Sequence, residues 1–161
     1  VPVHGSRPIL AEVQALVARA RFAAPQRVCT GFPSRRLAIL LAVLERKAGV
    51  ALGEQDVFLN VAGGLKIQEP AADLGVITAL ASSVKDTATS SDTVLVGEVG
   101  LGGEVRSVSR AEDRLKEAAR LGFSKVFLPR RNLTKKTKSG AGVEVIGVET
   151  VRDTLEKLGV S

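Results

Sequence analysis

Apolar residues recur along this chain with two periods, and the alternation between them predicts interleaved helices and strands. Leu37, Leu40, Leu41, Leu44 and Ala48 keep the spacing of a single helix face. Ser34 stands where that helix would be capped and Gly49 where it would stop. A second helical stretch runs from about Pro70 to Val84, with Pro70 in the first turn, where a missing amide hydrogen costs nothing. A third begins at Ser109, whose spacing to Glu112 is that of a reciprocal capping box, and ends by Gly122. Thr150 and Asp153 frame a last helix that buries Val151, Leu155 and Leu158.

Between these lie four short runs that read as strands: Asp56 to Asn60, Thr93 to Val96, Lys125 to Leu128 and Val143 to Val148. Ile9 to Val17 alternates only in part and fits either a strand or a short helix. Gly63-Gly64 reads as a turn, and Gly97 to Arg106 as a turn feeding a hairpin-like strand. Residues 1–8, with Pro2, Gly5 and Pro8, read as an extended lead-in, and Arg19 to Ser34 as a loop or irregular extended segment. The basic, glycine-containing stretch 129–142 is the candidate flexible loop. Two stretches look antiparallel, so one α+β domain over 1–161 is expected, with mixed sheets packed by helices, in preference to a doubly wound parallel sheet.

Composition narrows the class. A chain of 161 residues, 45% of them hydrophobic, can bury a core without disulfides or metals. With five Phe and no Trp, Tyr or Met, that core must be built from Val, Leu, Ile and Ala. The absence of Met, position 1 included, is what a segment of a longer chain would show. Cys29 stands alone, so neither an internal disulfide nor a cysteine zinc site is available, and a reducing compartment is expected. No apolar run approaches the roughly 18 residues of a membrane span, and no signal pattern opens the chain. A soluble intracellular protein away from membranes follows. The net charge of +6 raises the prospect of a polyanionic partner, because released counterions favour binding to phosphate backbones.

Few residues carry chemistry. The glycine-rich stretch 97–106 lacks the Gly-Lys-Ser/Thr ending of a phosphate loop and the third spaced glycine of a dinucleotide fingerprint, so a tight turn explains it. His4 is the sole histidine and reads as a surface residue, and Cys29 has no base in view. Arg130, Arg131, Lys135, Lys136 and Lys138 form a cluster without an acidic residue from 129 to 143. It is either a solvated loop or a phosphate-contacting one. No aromatic residue interleaves with it, which disfavours base stacking on single strands. Arg110 and Arg114 fall one helical turn apart, and Arg35 and Arg36 flank the start of the first helix; each fits an ordinary charged face or a phosphate contact.

Several strings occur together and in order: 35–45 (Arg-Arg-Leu-Ala-Ile-Leu-Leu-Ala-Val-Leu-Glu), 57–64 (Val-Phe-Leu-Asn-Val-Ala-Gly-Gly), 69–74 (Glu-Pro-Ala-Ala-Asp-Leu), 97–101 and 114–123. They resemble the C-terminal domain of the RadA/Sms family over about positions 8 to 158. That domain is similar to the proteolytic domain of Lon, so the resemblance implies a Lon protease-like fold of the ribosomal protein S5 domain 2 type. Lon uses a serine–lysine dyad. Ala71 stands at the serine position and Glu112 at the lysine position, and neither a methyl group nor a carboxylate can perform that acyl chemistry. Asp73 and Glu112 could form a residual acidic pair.

The resemblance further implies a ring-forming, ATP-driven DNA repair protein, hexameric at full length, in the bacterial cytoplasm or a plant organelle. Its zinc finger and its RecA-like ATPase domain, with zinc, ATP and magnesium, would lie in parts this chain lacks, leaving no cofactor or metal for the chain itself. The chain would then be a non-enzymatic module for ring assembly and DNA binding, with Arg35, Arg36, Arg110, Arg114, Arg130, Arg131, Lys135, Lys136 and Lys138 as contact candidates. Two rivals remain: a scaffold that docks a recombinase or replicative helicase without DNA affinity, and a hydrolase using Ser82 or Ser109.

Overall fold

The computed structural model describes residues 10–21, 24–138 and 142–160, the side chain of Lys138 excepted. His4, the lead-in 1–8 and the end of the basic loop at 139–141 lie outside the described residues. What is described is a mixed α+β arrangement of two three-stranded sheets, a two-stranded hairpin and the helices between them.

The first sheet is mixed. Strand β1 (Val13–Arg19) runs antiparallel to β3 (Gln55–Val61), and β2 (Arg27–Thr30) runs parallel to β3 on its other side. The ambiguous first segment is therefore a strand: Val13, Ala15 and Val17 face the core, and Gln14, Leu16 and Ala18 face solvent. Strand β2 corrects the reading of 19–34 as irregular. It is a short, exposed edge between Pro25 and Gly31, so it has no alternating apolar signal to read. Gly31 has φ +84° and its carbonyl accepts the Ile67 amide at 2.7 Å; a Cβ there would stand 2.5 Å from the Leu65 carbonyl oxygen. Only glycine fits that crossing.

Helix α1 (Ser34–Ala48) buries Leu37, Leu40, Leu41, Val43 and Leu44, and Gly49 ends it in the left-handed conformation. The cap differs from expectation. Pro33 is the N-cap residue and Ser34 makes no capping bond; its hydroxyl lies 3.9 Å from the Cys29 sulfur. After a single turn at Pro70–Ala72, helix α2 (Asp73–Lys85) passes between the sheets and buries residues on all sides, Leu74, Val76, Ile77 and Leu80 among them. A helix apolar all round must sit inside, which the sequence between Leu74 and Ala81 dictates.

The second sheet is wholly parallel, in the order β4 (Thr93–Leu95), β7 (Lys125–Pro129), β8 (Glu144–Val148). Its central strand serves two cores by simple alternation. Phe127 joins the larger cluster around α1, α2 and the first sheet, while Val126 and Leu128 join a smaller one with Leu115 and Ala118. The hairpin of β5 (Glu98–Val99) and β6 (Val105–Arg106) precedes helix α3 (Ala111–Arg120). No capping box opens α3: Arg110 is the N-cap residue, held at φ +58°, and no side chain caps the helix. The last helix, α5 (Val151–Leu158), is capped as its sequence predicts, with Thr150 Oγ1 accepting the Asp153 amide at 3.0 Å and Asp153 accepting the Glu149 amide at 3.0 Å.

Asp92 ties the entry to β4 to the entry to β7. Its carboxylate accepts the hydroxyls of Ser124 and Ser90, and its carbonyl accepts the amides of Ser124 and Lys125 at 3.0 and 3.2 Å. The Ser124 hydroxyl, then that of Ser90, holds the Asp92 carboxyl below the usual carboxylate range. A depressed carboxyl stabilises the fold above its unfolded pKa of about 4, and the contribution is lost as pH falls through the folded value. Asp92→Asn is therefore expected to melt below the parent at neutral pH, with the gap closing toward strongly acid pH. A gap constant with pH in thermal melts would contradict this.

Candidate nucleic-acid interface

The first part of the segment after β7 has defined secondary structure. A helical turn at Arg130–Asn132 leads to a short helix α4 (Lys135–Lys138). Asn132 clamps it to the approach to α3, its Oδ1 accepting the Val108 amide at 2.8 Å and its Nδ2 donating to the Val108 carbonyl at 2.9 Å. Thr137 is buried beneath the turn; its hydroxyl donates to the Asn132 carbonyl at 3.0 Å and accepts the Thr134 amide at 2.6 Å. Two polar side chains thus order a stretch that has almost no apolar content to fold on.

That ordering displays charge. Arg130, Arg131, Lys135 and Lys136 are all exposed on the segment. A cleft of about 370 Å³ beside it is lined by Asn132, Thr134 and Thr137 of the segment and by Arg110, but by none of those four cations. The cleft is not purely basic, since Glu112 and Asp113 share its wall and Arg110 Nε donates to Asp113 Oδ2 at 3.1 Å. Arg130 meets Glu149 at 2.9 Å, with both side chains more than half exposed. An exposed pair of this kind is worth roughly 0–1 kcal/mol, so a phosphate could replace Glu149 at little cost. Arg35 is exposed on the first turn of α1 and takes no part in this cleft. Lys138 belongs to α4, but its side chain lies outside the described residues.

Two of the nine candidate cations are turned inward. Arg36 holds Asp73, which is fully buried at the start of α2: Nε donates to Oδ1 at 3.0 Å and Nη2 to Oδ2. Asp73 also accepts the Val99 amide at 3.0 Å, and Arg36 Nη2 donates to the Val99 carbonyl at 3.1 Å. The hydrogen bonds from Arg36 to Asp73 raise the guanidinium pKa, outweighing the opposing effect of burial. Arg114 has a side chain only 3% exposed, pairs with Glu69, and donates Nε to the Ser109 carbonyl at 2.7 Å. Sequence alone ranks these arginines with the rest. The one available signal is an acidic residue in a segment otherwise set to be buried: Asp73 before an apolar helix and Glu69 before Pro70.

The positions matched to the Lon dyad stand in different surroundings. Ala71 is buried among Val94, Val96, Leu115 and other apolar groups, whereas Glu112 is exposed on the polar cleft. Asp73 does not pair with Glu112, because Arg36 and Val99 already satisfy it. Ser82 donates to the Thr87 carbonyl, and the Ser83 hydroxyl accepts the Val17 amide at 2.9 Å. Among the described residues no histidine, cysteine or carboxylate cluster suited to a metal occurs, and no helix is long and apolar enough to cross a membrane.

Residues 34–132 match the model of a protein family described as subunit ChlI of Mg-chelatase. That match takes in α1, the two positions aligned with the Lon dyad and the first turn of the basic segment, and the chain belongs to this family. Its near relatives carry a more specific name. DNA repair protein RadA of Bacillus subtilis is 48% identical over 153 residues, covering 95% of this chain and 33% of the relative. DNA repair protein RadA of Streptococcus pneumoniae is 48% identical over 158 residues (98% of this chain, 37% of the relative), and that of Halalkalibacterium halodurans 47% over 154 residues (96% and 34%). The chain is thus similar to RadA proteins along nearly its whole length and spans about a third of the length of the relatives it matches.

Proposed function

We propose that this chain is a Lon-like domain without peptidase chemistry, serving a RadA-type DNA repair protein as a module for DNA contact and ring assembly. The observation that carries the reading is the basic segment 130–136, clamped by Asn132 and Thr137, on which Arg130, Arg131, Lys135 and Lys136 are all exposed, with Arg110 in the cleft beside Asn132 and Thr134. Because the backbone beneath these cations is already ordered, that part of the ordering entropy is not lost on binding a phosphate backbone. Arg35 is a further contact on a separate element. Arg36 and Arg114 contribute to the fold, not to the contact. Counterion release makes such binding independent of base sequence, in keeping with the lack of aromatic side chains for stacking along the segment.

The loss of the dyad supports a non-catalytic role for the chain. Ala71→Ser combined with Glu112→Lys is expected to leave casein and fluorogenic peptides uncleaved, because position 71 is enclosed by apolar side chains and position 112 faces a different cleft. Turnover by that variant above the parent would contradict the assignment. Hydrolysis of ATP on magnesium, and the zinc site, belong in this reading to the parts of the relatives outside the chain, and the setting is the bacterial cytoplasm.

A docking scaffold is the second reading. On the open face of the first sheet Leu16, Phe58 and Val28 form a row in register across the three strands, with Leu16 59% and Val28 47% exposed. Another copy, a recombinase or a helicase could pack there. Fluorescence anisotropy with labelled duplex and single strands, over a salt series and beside light scattering, separates the two. Salt-sensitive binding by a multimer supports DNA contact; absent binding at low salt leaves only docking.

A further inference from the structure

The two sheets leave a groove between them, about 770 Å³, with β1 on one flank, β4 on the other and Gly75, Thr78 and Ala79 of α2 as its floor. Both flanks are outermost strands of their sheets. Strand β1 bonds to β3 through its even-numbered positions, a pattern continued beyond its ends by Ala62 donating to Glu12 and Ala20 donating to Glu54. By the alternation of an antiparallel ladder, Val13, Ala15 and Val17 turn their amides and carbonyls the other way. The Val17 amide is taken by Ser83, at 2.9 Å. Those of Val13 and Ala15 have no partner among the described residues.

Strand β4 repeats the arrangement. Val96 donates to Phe127 on the β7 side, so Leu95 and Gly97 point their main-chain groups away from β7. Gly97 is already used as an outer edge: its amide donates to Ala71 and its carbonyl accepts from Leu74, each at 3.0 Å. Leu95, two residues earlier, lines the groove and has no such partner among the described residues. In the floor the Thr78 hydroxyl, 1% exposed, also lacks a hydrogen-bond partner among the described residues. Unpaired donors and acceptors on two facing edges, with small side chains below, match one kind of occupant: extended main chain.

We propose that this groove binds an extended peptide segment of a partner protein as an added strand, bridging β1 and β4. Nucleic acid is disfavoured, because among the described residues Glu12 is the one charged side chain in the lining. The occupant carries small or β-branched residues on the face toward Gly75 and Ala79, where longer side chains would meet α2. Apolar residues on its other face can reach Phe123 and the half-exposed Leu121 at one end. The partner is recognised mainly through its backbone, so the site tolerates many sequences with that alternation.

The test uses the isotope-labelled chain and a capped hexapeptide of alternating valine and threonine at millimolar concentration, observed by amide NMR. Expected are shifts and slowed hydrogen exchange at Val13, Ala15 and Leu95. The same peptide methylated on alternate backbone nitrogens is expected to bind at least tenfold more weakly. Ala79→Leu, at a half-exposed floor position, is expected to weaken binding as much without lowering the melting temperature. No protection of the three amides, or equal binding of the methylated peptide, would overturn the proposal. So would protection already present without peptide and lost on deleting residues 1–9, since the chain would then fill its own groove.

Discussion

Arg36→Met is expected to destabilise the chain by about 3 kcal/mol, at the lower end of the roughly 3–5 kcal/mol lost when one member of a buried ion pair is removed. The reason is Asp73. Its carboxylate is fully buried, and two of its hydrogen bonds come from Arg36. After the substitution the Val99 amide alone remains to hold it. The Arg36 side chain is 29% exposed, so water can partly repair the site, which is why the lower figure is expected. Arg36→Met together with Asp73→Leu should recover part of the loss, because an apolar pair leaves no charge stranded. Urea midpoints of the two single variants and the double variant form the cycle that tests this. A single-variant loss below about 1 kcal/mol would mean that Asp73 is not held as described.

The second large effect is on binding. Arg131→Gln, Lys135→Gln and Lys136→Gln combined are expected to weaken duplex binding roughly 10²–10³-fold near 0.1 M salt, if each cation neutralises a phosphate. The loss should be alike on duplexes of unrelated sequence, because phosphate contacts carry no base information. The fold should survive, since the variant keeps Asn132 and Thr137, which clamp the segment. Sequence-dependent loss would point to base contacts, and an unchanged affinity would remove the segment from the interface.

Much of the architecture is legible in residue spacing. The one-face pattern of Leu37, Leu40, Leu41 and Leu44 defines α1, and Thr150 with Asp153 marks α5 and its cap, because both signals are local. Signals that depend on long-range partners are silent or misleading. Strand β2 exists because β3 offers it a parallel edge, and nothing in Arg27–Thr30 announces that partner. The Ser109–Glu112 spacing fits a capping box, yet Arg110 takes the N-cap position in a left-handed conformation and the box does not form.

The candidate interface shows the same limit more sharply. Nine cations look equivalent along the chain, but a guanidinium one residue from another can have the opposite fate. Arg35 faces solvent while Arg36 turns to Asp73, thirty-seven positions away. The stretch 129–142 looks flexible because it is basic and has glycines at its end. Asn132 and Thr137 order its first part through Val108 and the local turn, a device that leaves no hydrophobic trace.

The measurement that tests the DNA-contact reading most directly is the slope of log affinity against log salt for the parent chain, the triple variant and Arg36→Met. Removing one phosphate-binding cation should reduce the slope by about one unit, so the triple variant is expected to be shallower by about three and Arg36→Met to match the parent. Equal slopes for the parent and the triple variant, or a flat parent, would contradict DNA contact through the clamped basic segment.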